Sequence, residues 1–219
     1  NNEAELITSK GEEGRKLLND FVHVLFRDSR GYLWIGTRAG LNVYLKDEDQ
    51  FITVEDIFGK NSLNSRVNSI DEDKKNNLWV GTDQGLYYLD FSNMSVTSHT
   101  KNSEDPESIT DSKVYSVIVD NEGFVWVGTG AGGLNRYNPV TGVFRSYKSD
   151  VKSPNTISNN SVFDVIKDSE DFLWIATRSG LNRFDKRDTS FTIYTKKDGL
   201  PSDLIYNIIE DDNGDLWMS

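Results

Sequence analysis

DSRGYLWIGT at residues 28–37 decides the fold, because the chain repeats it. The copies read DKKNNLWVGT at 73–82, DNEGFVWVGT at 120–129, DSEDFLWIAT at 168–177 and DDNGDLWMS at 211–219. The five tryptophans stand at 34, 79, 126, 174 and 217, so the period lies in the middle forties. Each of the four full copies runs on into Gly-Leu, at Gly40-Leu41, Gly85-Leu86, Gly133-Leu134 and Gly180-Leu181. Four short strands per copy at that period are the signature of propeller blades.

The strands can be placed within each copy. The first is the run before the Asp: VHVLFR from Val22, VNSIDE from Val67, VYSVIV from Val114, VFDVIK from Val162 and IYNIIE from Ile205. The second carries the Trp and the third starts at Gly-Leu. The fourth is an aromatic and β-branched alternation: Gln50 to Val54, Ser95 to His99, Val143 to Tyr147 and Phe191 to Tyr194. Asp-x-x-Gly at 28–31, 120–123 and 211–214 predicts a tight turn, with Asp bonding its own backbone and Gly at positive φ. Asn76 and Asp171 replace that Gly and are the next-best residues there. Gly40, Gly85, Gly132 and Gly180 are expected to play the same part in the second hairpin. The repeated Trp, with Tyr44, Tyr88, Tyr137 and Phe184, reads as packing between neighbouring blades.

The fold class is therefore all-β, a β-propeller of four complete four-stranded blades plus parts of a further blade. The repeats span 21–65, 66–112, 113–160, 161–203 and, in part, 204–219. Residues 1–20 read as the tail of a preceding blade and its linker. Together, 1–219 form a single propeller region, expected to be a segment of a larger propeller rather than a closed ring.

Composition agrees. There are 31 valines and isoleucines against four alanines, a bias toward strands and away from helices. The net charge of −11 disfavours nucleic acid and anionic lipid as partners. With no cysteine, disulfides and thiolate-held metals are excluded. No apolar run is long enough to span a membrane, so no membrane contact is expected of this segment. No cofactor or metal site is expected; the spacing of Asp211 to Asp215 fits the inter-strand turn better than a Ca²⁺ loop.

In a propeller with its first strands innermost, the linkers entering those strands share a face with the turns between second and third strands. Recognition residues should be those that vary between copies on that face. The turns supply Arg38, Asp83, Gln84 and Arg178; the entry loops supply Arg66, Asp111, Lys113, Asn159, Asn160 and Asp203, with Asn64 and Ala131 beside them. Arg, Asn, Asp and Gln suit sugar hydroxyls, and Arg also suits carboxylates. For catalysis, an acid and a base must be paired. Only His23 and Asp164, both in first strands, could be nominated; His23 reads rather as a lining residue and His99 as exposed. No catalytic residue is assigned.

The pattern D-x-x-G-x-L-W-I/V-G-T-x-x-G-L-N-x-Y/F resembles the two-component regulator propeller repeat. DGLPSDLIYNIIEDDNGDLW at 198–217 and SNNSVFDVIKDSEDFLWIATRSGLNRFD at 158–185 match it best, and the resemblance runs from Phe21 onward. It implies the periplasmic sensor region of a hybrid histidine kinase, with an oligosaccharide released from a polysaccharide as ligand. It also implies a longer propeller region in the parent, followed by a β-sandwich, a membrane helix, kinase and response-regulator domains. No nucleotide loop or kinase motif is present in this chain, so it is not itself expected to be an enzyme. Two alternatives stand beside the sensor: a protein-interaction scaffold, and a propeller lyase or hydrolase. Exposed blade edges make a homodimer through those edges an expectation.

Overall fold

The computed structural model describes residues 5–59, 63–153 and 155–219. The chain divides into two compact units, Asn1–Ser98 and His99–Ser219, each taken by itself below.

The first unit holds two four-stranded antiparallel sheets. One is β1 (Val22–Arg27), β2 (Leu33–Thr37), β3 (Gly40–Leu45) and β4 (Gln50–Thr53), in that order. The other is β5 (Val67–Glu72), β6 (Leu78–Thr82), β7 (Gly85–Asp90) and β8 (Ser95–His99). The second unit repeats the meander twice, as β9 (Val114–Val119) to β12 (Val143–Tyr147) and β13 (Val162–Lys167) to β16 (Ser190–Tyr194). It ends on a two-stranded sheet of β17 (Ile208–Glu210) and β18 (Leu216–Met218). First strands pack side by side: β1 with β5, β9 with β13, and β13 with β17. These sheets are propeller blades.

The turn chemistry is as the sequence predicts. Gly31, Gly123 and Gly214 have φ of 91°, 87° and 84°, and the substitutes Asn76 and Asp171 follow at 61° and 71°. The Asp before each turn also reaches the tryptophan six residues on. Indole N–H groups donate to carboxylates at Trp34–Asp28 (3.0 Å), Trp126–Asp120 (2.8 Å), Trp174–Asp168 (2.7 Å) and Trp217–Asp211 (2.9 Å). In the second blade, Asp73 accepts from the Tyr88 hydroxyl at 3.0 Å.

The tryptophans pack between blades. Trp34 lies 5.8 Å from the Phe91 ring of the next blade, and Trp126 lies 5.5 Å from Phe184 of its next. Trp34 and Trp126 are 1% exposed; Trp217, on the last sheet, is 62% exposed. Two residues after Trp34, Trp79, Trp126 and Trp174 lies a small residue: Gly36, Gly81, Gly128 and Ala176. A Cβ added to Gly36 would lie 2.7 Å from Val67, and one at Gly128 would lie 2.7 Å from Val162. Each glycine therefore lets the first strand of the following blade close in.

Four local expectations are corrected. Val54 does not extend β4; it opens a short helix, α1 (Val54–Phe58), capped by Thr53 and Asp56. The capping box satisfies the first turn's amides, which the strand pattern did not reveal. In the third blade the left-handed glycine is Gly133 (φ 80°), not Gly132, because that turn holds one extra residue. The run from Ile205 yields only Ile208–Glu210 as strand. His99 is not exposed: its ring is 4.7 Å from Tyr137 and 5.6 Å from Phe144. Burial there holds its pKa below the ordinary histidine value.

Candidate functional site

The loop face is fixed by two sets of polar pins. The first is a fully buried threonine ending each second strand: Thr37, Thr82, Thr129 and Thr177. Its hydroxyl donates to the carbonyl of Gly40, Gly85, Gly133 or Gly180 at 2.8–2.9 Å. The same oxygen accepts an amide from within the turn, as from Gln84 at 3.0 Å. The second is a buried asparagine in the third strand, which accepts the amide of the incoming linker. Asn42 takes Leu18 (2.9 Å), Asn135 takes Thr110 (3.2 Å) and Asn182 takes Ser158 (2.8 Å). The second blade has Tyr87 at that position. These pins were not read from the sequence. Their signal was there, in a Thr and an Asn that recur at the same places in the copies.

Between the pins, turn and entry loop are joined in every blade. The amide after each threonine donates to the carbonyl just before the first strand. The pairs are Arg38 to Phe21 (3.0 Å), Asp83 to Arg66 (3.1 Å), Gly130 to Lys113 (2.9 Å) and Arg178 to Ser161 (3.3 Å). The two loop sets thus share one face, as the strand order requires.

One residue below this junction, the first strand of each four-stranded blade carries a β-bulge. The register shifts between Val22 and Val24, between Val67 and Ser69, opposite Gly128/Thr129, and between Val162 and Asp164. The residues set free are His23, Asn68, Tyr115 and Phe163. A bulge turns a side chain out of the ladder, and bulges recur beside binding sites for that reason.

In the first unit these features enclose a hollow of about 510 Å³, lined by Phe21, His23, Arg38, Asn64, Ser65, Arg66, Asp83 and Gln84. Four of the ten sequence-predicted residues, Arg38, Arg66, Asp83 and Gln84, are brought together here. Asp83 is held by the Asn68 side-chain amide at 3.0 Å. Arg38 lies 6.0 Å from the centre of the Phe21 ring. His23 is held below its ordinary pKa by partial desolvation and by the Arg66 and Arg38 guanidinia, with Asp83 opposing them. It is therefore neutral at neutral pH, able to donate from one ring nitrogen and accept at the other.

The other six predicted residues lie in the second unit. Asp111 accepts the amides of Ala131 (2.8 Å) and Lys113 (3.2 Å). The Lys113 ammonium sits 5.3 Å from the Tyr115 ring. Asn159 donates to Ser179 at 3.0 Å. Asn160 accepts from Ser149 at 2.8 Å and Asp203 from Lys196 at 2.7 Å, so both brace the linkers between blades. Arg178 is exposed on its turn. The bulge residues of this unit pack together, Tyr115 against Phe163 at 5.6 Å, and Phe163 also packs against Tyr206 at 5.0 Å.

The pair nominated for acid–base work does not form a described site. His23 and Asp164 belong to different units. Asp164 is engaged by three donors: the Ser116 hydroxyl (3.0 Å), the Val165 amide (2.9 Å) and the Ile208 amide (2.9 Å). Burial raises its pKa against the opposing pull of those three hydrogen bonds. Its contacts reach the strands on both sides, which is the work of a structural tie. Among the described residues, no group of three or more His, Asp or Glu side chains is placed to hold a metal ion. No described helix is long and apolar enough to cross a membrane.

Residues 16–39, 61–84, 108–131, 156–179 and 199–219 match the family model described as two component regulator propeller. The chain is similar to a structure described as the extracellular domain of a hybrid two-component system from B. thetaiotaomicron, at 30% identity and TM-score 0.77. That likeness covers 93% of this chain and 27% of the other. A virginiamycin B lyase from Staphylococcus aureus shares the fold at 15% identity and TM-score 0.69, over 90% of this chain and 62% of its own. PorZ, a surface component of the type-IX secretion system of Porphyromonas gingivalis, does so at 17% and 0.69, over 91% and 31%. No curated protein matches the sequence.

Proposed function

We propose, since this chain belongs to the two-component regulator propeller family, that it is part of the extracytoplasmic, periplasmic sensor of a hybrid two-component signalling protein. Its ligand is an oligosaccharide derived from a polysaccharide, bound on the loop face without turnover. The observation that carries this reading is the hollow at Phe21, His23, Arg38, Arg66, Asp83 and Gln84. It combines an aromatic ring that is 62% exposed with guanidinium, imidazole, amide and carboxylate groups. A pyranose presents an apolar C–H face and a rim of hydroxyls, and sites that bind such ligands pair apolar walls with a few placed polar groups.

The parent would transmit binding as a population shift: the ligand favours one arrangement of the sensor, and the histidine kinase beyond the membrane reads it. The family membership and the likeness to an extracellular two-component domain support this reading over a lyase. The lyase likeness, at 15% identity, speaks for the fold alone.

The test is thermal denaturation of the 219-residue chain against a panel of oligosaccharides. A ligand at about 100 times its Kd stabilises by about 2.7 kcal/mol, which raises the melting point measurably. The expected result is a shift with one glycan class and an unchanged glycan on recovery. Recovery of a cleaved glycan would establish an enzyme, and a shift with no glycan would remove the sensor reading for this chain.

A further inference from the structure

We infer that the hollow of the first unit takes the anionic group of an acidic sugar, a carboxylate or sulfate ester, between Arg38 and Arg66. This deepens the oligosaccharide reading and rests on it. The argument begins with what the two guanidinia lack. Among the described residues, Arg15, Arg30, Arg183 and Arg187 each have a carboxylate partner, while Arg38 and Arg66, like Arg27, Arg136, Arg145 and Arg178, form no ion pair; what sets these two apart is that they line the same hollow. This holds in a chain with 35 acidic side chains against 24 basic ones. The one carboxylate lining the hollow, Asp83, is held on the Asn68 amide.

Arg38 and Arg66 also come from different blades, one on a turn and one on an entry loop. Backbone bonds to Phe21 and Asp83 hold their main chains in place. A planar guanidinium donates two parallel N–H groups, which suits a carboxylate or sulfate better than a hydroxyl. Phe21 offers a flat face for the sugar's C–H groups, and the Gln84 amide offers hydroxyl contacts.

His23 gives the proposal its readout. Partial burial depresses its pKa most; the charged groups that act on its ring are Arg66 and Arg38, which depress it further, and Asp83, which opposes them. A bound anion cancels that repulsion and attracts the imidazolium, so the expected change is a rise in the His23 pKa, against the added desolvation. By linkage, an acidic sugar then binds more tightly as pH falls through that pKa.

The chain has two histidines, so both imidazoles can be followed by NMR through a pH titration. His99, packed against Tyr137 and Phe144, is the internal control and reports that the protein stays folded. Three probes of equal length are compared: a uronic-acid oligosaccharide, a sulfated one and a neutral one. The expected result is a rise of about half a unit or more in the His23 pKa with at least one acidic probe. The His99 pKa stays put, and affinity falls about tenfold or more in Arg38→Gln/Arg66→Gln. Binding of the neutral probe with a stationary His23 would overturn the acidic-ligand inference and leave the oligosaccharide sensor standing. A stationary His23 with no probe bound would overturn both.

Discussion

The same bulge carries a histidine and an asparagine in residues 1–98 and aromatic rings in residues 99–219. In the first unit, His23 faces a hollow of about 510 Å³ and Asn68 holds Asp83. In the second, Tyr115, Phe163 and Tyr206 lean on one another. The backbone around both is alike: the same turn aspartate, the same buried threonine, the same register shift. The lesson is a division of labour. Repeated residues build the framework, and one varied position goes with the difference between side chains packed on one another and an open hollow.

If the framework is common, its loss should cost the two units alike. Trp34→Ala and Trp126→Ala each remove a tryptophan that is 1% exposed and bonded to a carboxylate. Each should cost about 3–5 kcal/mol in chemical denaturation. Trp217→Ala, at the same motif position but 62% exposed, should cost about 0.5 kcal/mol or less. A Trp34→Ala cost nearer that of Trp217→Ala would break the comparison.

Next in size are the glycines of close approach. Gly36→Val and Gly128→Val push side chains against Val67 and Val162, and each should cost about 1–3 kcal/mol by denaturant midpoint. The bulge column should then separate the units. Phe163→Ala deletes a ring in contact with two others and should cost about 1–2 kcal/mol. His23→Ala, in the open hollow, should stay within about 0.5 kcal/mol of the parent. Equal stability costs at both positions would mean that the hollow is part of the core.

The smallest effect sharpens the role of Asp164. Its folded pKa lies above its unfolded value, so its stabilising contribution is complete below the unfolded pKa. That contribution is lost as pH rises through the folded pKa. Stability of the parent measured against Asp164→Asn should therefore fall with rising pH across that window and level off above it. A flat difference would show that the three hydrogen bonds fully offset the burial.

The blades were legible because their signal is repetition. Asp, Gly, Trp and the Gly-Leu pair recur in register, and turn geometry follows from what Asp and Gly do to a backbone. Asn76 and Asp171 could be assigned positive φ from the alignment of copies alone. The short helix at Val54–Phe58 rests on a local Thr53–Asp56 cap, repeated after β16 as Thr195–Asp198 over a single 3-10 turn, inside a sequence that also suits a strand. His99 was misread because its burial depends on Tyr137 and Phe144, both more than 35 residues away.

For the candidate site, variation among the copies picked out Arg38, Arg66, Asp83 and Gln84, which line one hollow. Variation did not say which loops would leave a space between them. It also gave little weight to the bulge column, because a register shift of one residue leaves no mark in the hydrophobic pattern. The sequence reading of Asn160 and Asp203 as ligand contacts met the converse difficulty. An exposed-looking polar residue in a linker can be engaged by a backbone amide several residues off, as these are by amides eleven and seven residues away.

The carboxylate of Asp164 has a consequence for how the second unit opens. Blades in repeat proteins can fray one at a time, since each touches only its neighbours. Here one buried side chain is bonded at once to Ser116 on β9, to Val165 on its own strand and to Ile208 on β17. Pulling any one of the three strands away strands a desolvated charge. Their amides should then exchange with deuterium as one cooperative group, at one common rate, while the outer strands β12 and β16 exchange independently and faster.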